Sequence, residues 1–182
     1  MASPASRNTG SPGGQSSAAI LLQRQLKQMQ SDRDIPGISC GLASDNIFEW
    51  EVMLMLSEEQ DSMYGGGIFR ARMTFPSSYP ISAPKLKFET PIFHPNVYEN
   101  GEVCISILHE GEDQYGYEAA NERWNPVQTP ETILLSVISM LSSPNDESSA
   151  NAEAGRLWRE DQKEFKRRVR RCVRESLENA WD

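Results

Sequence analysis

The residues best suited to chemistry fall in one stretch, Phe93-His94-Pro95-Asn96-Val97-Tyr98-Glu99-Asn100-Gly101-Glu102-Val103-Cys104-Ile105, where a Pro-and-Asn turn leads into a cysteine between apolar neighbours. The chain has 2 histidines, His94 and His109, and both lie within ten residues of Cys104. A thiol reacts as thiolate, and a free cysteine of pKa ~8.5 supplies only a few per cent of that form at neutral pH. Glu102 and the acids that follow Cys104 would keep it protonated. This disfavours a hydrolytic thiol, which needs a dedicated base or cation beside it. It favours a thiol that accepts an acyl group from an already activated thioester, an exchange nearly balanced in energy. The Asn96 amide is then a candidate donor to the oxyanion formed when an amine attacks the thioester carbonyl, a role contributing ~10² to 10³ in rate. As an Asn after Pro, it is also a good turn former. His94, ahead of a proline in a rigid loop, reads as hydrogen-bonded scaffolding rather than a base. His109 either sits near the thiol or faces solvent.

These side chains need elements to position them. Residues 1–17, rich in Ser, Pro, Gly and Ala, are too poor in apolar residues to offset the entropy of ordering and read as a disordered tail. Residues 18–182 form one domain. Ile20, Leu21, Leu22, Leu26 and Met29 predict a helix over 18–31, capped by Ser17 and stopped by Pro36-Gly37, with Arg24 and Lys27 on its outer face. Four extended runs follow, at 38–43, 47–56, 67–75 and 85–89. Phe48, Trp50, Val52, Leu54 and Leu56 share one face, as do Phe69, Ala71, Met73 and Phe75, which predicts a half-covered antiparallel meander. Asp45-Asn46 and Gly65-Gly66-Gly67 supply turns; the glycines lie too near a hairpin to cradle phosphate. Five prolines from Pro76 to Pro95 make a stiff loop ahead of the cysteine. Residues 109–122 carry five acids and no Lys or Arg and read as a solvated insertion. Thr129-Pro130-Glu131 starts a helix over 130–142. A last helical region, 151–179, presents Leu157, Trp158, Phe165, Val169, Cys172, Val173 and Leu177 inward and a basic run outward. The fold class is α+β.

Composition narrows the chemistry. With 38% hydrophobic and 24% charged residues and no apolar run long enough to span a bilayer, the reading is a soluble protein without membrane insertion. The N-terminus lacks the apolar core of a secretory signal, which predicts an intracellular protein, cytoplasmic and open to the nucleus. Cys40, Cys104 and Cys172 are too far apart for a disulfide framework or a zinc-type pair, so reduced thiols and no metal are expected. The net charge of −8 is uneven: +2 over 1–35, −12 over 36–151 and +2 over 152–182. An acidic middle repels phosphate backbones and suits a partner with a basic surface, so nucleic acid is not expected as a partner.

His94-Pro95-Asn96, the run Gly101-Glu102-Val103-Cys104-Ile105-Ser106-Ile107-Leu108, Trp124-Asn125-Pro126-Val127 and Ser143-Pro144-Asn145, in this order after a helix and a meander, resemble a ubiquitin-conjugating enzyme over about residues 18–180. The acidic insertion and the C-terminal sequence resemble its G type. The resemblance implies a four-stranded antiparallel sheet and Cys104 as the thioester carrier of ubiquitin. It also implies Asn96 supporting the oxyanion or its loop, and a structural His94. Helix 1 would meet the ubiquitin-activating enzyme. Ile81 and Pro126-Val127 would form the patch a ubiquitin ligase recognises, with a protein substrate as final acceptor. ATP is consumed by the activating enzyme, so no cofactor is expected.

Two departures from the related enzymes stand out. Ser57-Glu58-Glu59-Gln60-Asp61 replaces a usual Gly-Pro turn, and Ser148, with Glu147 beside it, occupies a gate position often held by Asp. The expectation is that Glu147, or Glu112 and Asp113 of the acidic loop, orients the incoming lysine. A cysteine hydrolase using Cys104 with His94 or His109, and a non-catalytic ubiquitin-binding module, are the competing readings.

Overall fold

The computed structural model describes residues 14–31, 35–58, 62–111, 119 and 121–180. Glu112 and Asp113, and most of the N-terminal segment, lie outside the described residues. Helix α1, Ser17–Ser31, buries Ala18, Ala19, Leu22 and Leu26 and leaves Ile20 56% exposed, so its buried stripe includes two alanines that the sequence reading passed over. Its cap is Ser16 rather than Ser17: Ser16 Oγ accepts from the Ala19 amide at 3.2 Å, satisfying one of the amides a helix start leaves open.

Strands β1 (Ile38–Ala43), β2 (Asn46–Met55), β3 (Ile68–Thr74) and β4 (Lys85–Phe88) form one antiparallel sheet in sequence order. The tight turn falls one residue earlier than the sequence suggested, at Ser44 (φ 53) and Asp45 (φ 57), the two left-handed positions that match the twist of a hairpin. Asn46 instead opens β2, its Oδ1 accepting from the Phe48 amide. Trp50, Val52 and Leu54 on β2 and Phe69, Ala71 and Met73 on β3 are each at most 1% exposed. Each large side chain among them contributes about 2–3 kcal/mol by leaving water. Gly67 is glycine by necessity at the entry to β3, because a Cβ there would lie 2.4 Å from the Phe69 ring.

Helix α2, Pro130–Ser142, begins at Thr129 with reciprocal Thr129–Thr132 capping bonds and buries Ile133, Leu134, Val137 and Leu141. The C-terminal helical region is two helices, α3 (Ala152–Glu160) and α4 (Gln162–Glu178). Asp161 leaves helical geometry (φ −144, ψ 75), and its side chain caps α4 by accepting from the Glu164 amide. Leu177 lies outward at 41% exposed, and Ser176 takes the inner position at 1%. The Ser176 hydroxyl accepts from the Ile68 amide at 3.1 Å and donates to the Val173 carbonyl at 2.6 Å, fastening α4 to the first residue of β3. On the outer face, Arg167–Glu164, Arg168–Glu153 and Arg171–Glu175 form exposed ion pairs, each worth little in water.

Candidate active site

The stretch before the cysteine is irregular, so its backbone needs partners from elsewhere. Tyr64, fully buried, donates its hydroxyl to the Phe93 carbonyl. His94, 0% exposed, uses both ring nitrogens: Nε2 donates to the Met140 carbonyl at 2.9 Å and Nδ1 accepts from the Asn96 amide at 2.9 Å. That pairing fixes one neutral tautomer, and burial pulls the imidazole pKa down to about 4. With both nitrogens engaged, this ring has no free lone pair to act as a base.

Asn96, 4% exposed, is tied in the same way. Its Nδ2 donates to the Asn145 carbonyl at 2.6 Å and its Oδ1 accepts from the Asn145 amide at 2.8 Å, which stitches this loop to the segment after α2. A carboxamide has two N–H donors, so one remains after this pairing. The Asn96 carbonyl accepts from the Cys104 amide at 2.9 Å. Between them the chain turns back through Tyr98 and Gly101. Gly101 adopts φ +93, where a Cβ would sit 2.2 Å from the Phe88 carbonyl oxygen.

Cys104 therefore sits on a clamped backbone, with its side chain partly exposed and its thiol free. It opens onto a groove of about 520 Å³ lined by Asn96, His109, Ser148 and the hydroxyl face of α2 at Thr132, Ser136 and Ser139. His109 Nε2 lies 3.6 Å from Sγ, which settles the choice the sequence left open in favour of the thiol. Tyr98, to which the sequence reading gave no role, places its hydroxyl 4.0 Å from Sγ, and the charge of an ionised Cys104 pushes its phenol pKa up. A signal was present: Val97 and Val103 form a bridge closed by an Asn-Gly turn, which brings Tyr98 back beside the cysteine. Asn145, the partner of Asn96, belongs to the Ser143-Pro144-Asn145 run, to which the sequence alone assigns no chemical role. The other two thiols are half-buried, and burial pushes Cys40 to about 11 and Cys172 upward.

Residues 21–173 match the family described as ubiquitin-conjugating enzyme. The chain is 58% identical to ubiquitin-conjugating enzyme E2 15 of Schizosaccharomyces pombe over 90% of its length and 97% of the relative's. It is 53% identical to ubiquitin-conjugating enzyme E2 7 of Arabidopsis thaliana over 90% and 98%. With human ubiquitin-conjugating enzyme E2 G2 the identity is 49% over 78% and 86%. The chain belongs to the ubiquitin-conjugating enzymes.

The family transfers ubiquitin through a cysteine thioester, with an activating enzyme and a ligase as partners and generally without a cofactor. In this ubiquitin-conjugating enzyme, Trp124 joins two exposed loops: its indole N–H donates to the carbonyls of Pro80 (3.1 Å) and Ile81 (3.3 Å). That contact sets Ile81, 77% exposed, and Val127, 82% exposed, on neighbouring loops, with Pro126 also exposed. Exposed aliphatic side chains held on a rigid support suit protein docking. Ser148 lines the groove with Cys104, whereas Glu147 beside it is exposed and outside the lining, its amide bonded to Asn145 Oδ1. Among the described residues, no group of three or more His, Cys, Asp or Glu is placed to hold a metal ion, and no helix is long and apolar enough to cross a membrane.

Proposed function

We propose that Cys104 is the residue that carries ubiquitin, within a catalytic unit spanning residues 18–182. One observation carries this reading: of the three cysteines, Cys104 alone combines an open groove with an imidazole 3.6 Å from its sulfur. In loading, the Cys104 sulfur attacks the thioester carbonyl on the activating enzyme. Its proton passes through His109 to the departing thiolate, and one thioester replaces another. ATP is spent by the activating enzyme beforehand. In discharge, a lysine ammonium first loses a proton to solvent and its nitrogen attacks the carbonyl held at Cys104. The C–S bond then breaks, and the second amine proton ends on the released sulfur.

Asn96 holds the loop through Asn145 and directs its remaining N–H at the oxyanion. His94 keeps that loop in place. The activating enzyme meets α1 at Arg24 and Lys27, and the ligase meets Ile81, Pro126 and Val127. Glu147, with Glu112 and Asp113, orients the lysine of a protein substrate at the Ser148 gate. Neutralising all three carboxylates slows lysine discharge in this scheme, and an unchanged rate removes them from it. The enzyme works in the cytoplasm and nucleus.

The test is Cys104→Ser with activating enzyme, ATP and ubiquitin. An oxyester that survives reductant and yields to mild base is expected. Failure to form that adduct, with a reductant-sensitive one still present, would move the carrier to another cysteine.

A further inference from the structure

Helix α4 carries more positive charge than its own acids pair. Its inner side, Phe165, Val169 and Ser176, is buried where the helix packs on α3 and β3. Its acids lie along one flank, where Glu164 holds Arg167 and Arg168, and Glu175 holds Arg171. The remaining cations form a separate row. Lys163, Lys166, Arg170 and Arg174 are exposed, and among the described residues none of the four makes an ion pair or a side-chain hydrogen bond. At 3.6 residues per turn they fall within an arc of about 80° that faces away from the buried side, and they run for about 16 Å along the helix. Steps of three and four residues set neighbours about 5–6 Å apart, close enough for like charges to repel, and an anionic ligand relieves that repulsion. No Asp or Glu of α4 falls inside the arc. Leu177, also exposed, continues the row at its C-terminal end.

The shape of the row selects among anions. A bilayer is a plane, and it would bring Glu164, Glu175, Glu178 and a chain of net charge −8 against anionic headgroups. A nucleic-acid strand is held by stacking on aromatic rings as well as by charge, and the row contains no aromatic residue. An amphipathic helix with carboxylates three and four residues apart repeats the same spacing. Laid alongside α4 it meets each cation in turn, as charges do across paired helices, and an apolar residue near its end covers Leu177.

We propose that this row docks an acidic helix of a protein partner, antiparallel to α4, with carboxylates at intervals of four, four and three residues against Arg174, Arg170, Lys166 and Lys163. Seated there, the helix tethers its owner to the conjugating enzyme through a surface that includes neither Ile81 nor Val127, and raises the local concentration of whatever that owner presents.

The experiment follows, by fluorescence anisotropy on the full chain, a labelled alanine-rich helical peptide with glutamates at i, i+4, i+8 and i+11 and a leucine at i−3. A peptide of the same composition with its glutamates spread around the helix is the control. The matched peptide is expected to bind at least about tenfold tighter than the control, and to weaken as salt rises from about 50 to about 500 mM. Lys166→Glu/Arg170→Glu should cost about tenfold or more, and the milder Lys163→Ala/Arg174→Ala about threefold or more. Arg167→Gln/Arg171→Gln, on the paired flank, should cost less than about threefold. Equal affinity for the two peptides, or none for either, would overturn the inference, as would an equal loss from the flank variant, which would mean diffuse charge rather than a row. Tighter capture of phosphatidylserine vesicles or single-stranded RNA would replace the occupant, and so would self-association of the chain that the charge reversal abolishes; each of these outcomes contradicts the proposal.

Discussion

Residues 94–97 and residues 98–109 are neighbours in sequence and opposites in environment. In the first, every side chain is buried; His94 Nε2 and the Asn96 carboxamide are committed to partners on other segments, and His94 Nδ1 accepts from the Asn96 backbone amide within the segment. In the second, Tyr98, Glu99, Asn100 and Glu102 are exposed, and Cys104 and His109 are partly so. The difference separates two tasks. The buried half fixes where the sulfur stands, because the Asn96 carbonyl holds the Cys104 amide, and the open half governs what reaches it.

If the division holds, substitutions in the buried half change stability and those in the open half change rates. The largest expected effect is at His94. Replacing it with Ala strands the Met140 carbonyl and the Asn96 amide and leaves a cavity, costing about 3 kcal/mol in a denaturant titration. A loss below about 1 kcal/mol would remove the lock from this half.

The second prediction concerns pH. Burial lowers His94 to about 4 in the folded chain from the ordinary 6.5, so the unfolded chain takes up the proton first as pH falls. The ring's contribution is then complete above about pH 6.5 and lost progressively down to about 4, by on the order of 3 kcal/mol. The stability difference between wild type and His94→Gln should shrink across that window; a difference independent of pH would mean that the ring is not held neutral.

Tyr64→Phe comes third, because it removes the donor to the Phe93 carbonyl and leaves the ring packing intact. About 1–2 kcal/mol is expected from thermal unfolding. The smallest stability effect belongs to the open half: His109→Ala should change stability by less than about 1 kcal/mol while slowing thioester formation at least about tenfold. The reverse pattern would erase the distinction between the halves.

Much of the fold was legible in the sequence because its signals are local. Alternation in β2 and β3 marks the buried face directly, and Thr129-Pro130 marks the start of α2 to the residue. The break at Asp161 was not legible: the one glycine of the region, Gly155, lies inside α3 and no Pro or Gly stands at the break, and an Asp caps a helix only once the backbone has already turned. Ser176 displaced Leu177 from the inner face because the first amide of β3 requires an acceptor, a demand that comes from a strand more than 100 residues away. At the site, Cys104, Asn96 and the two histidines stood out by type and spacing. What they touch did not, since the Asn96–Asn145 pair and the His94–Met140 bond each join residues more than 40 positions apart.

The central claim is that one sulfur, Cys104, holds the activated acyl group. The most direct measurement runs Cys104→Ala beside Cys40→Ala/Cys172→Ala with activating enzyme, ATP and ubiquitin on gels with and without reductant. The account predicts a reductant-sensitive adduct in the double variant and none in Cys104→Ala; an adduct that persists without Cys104, or disappears with the other two cysteines while the protein stays folded, would contradict it.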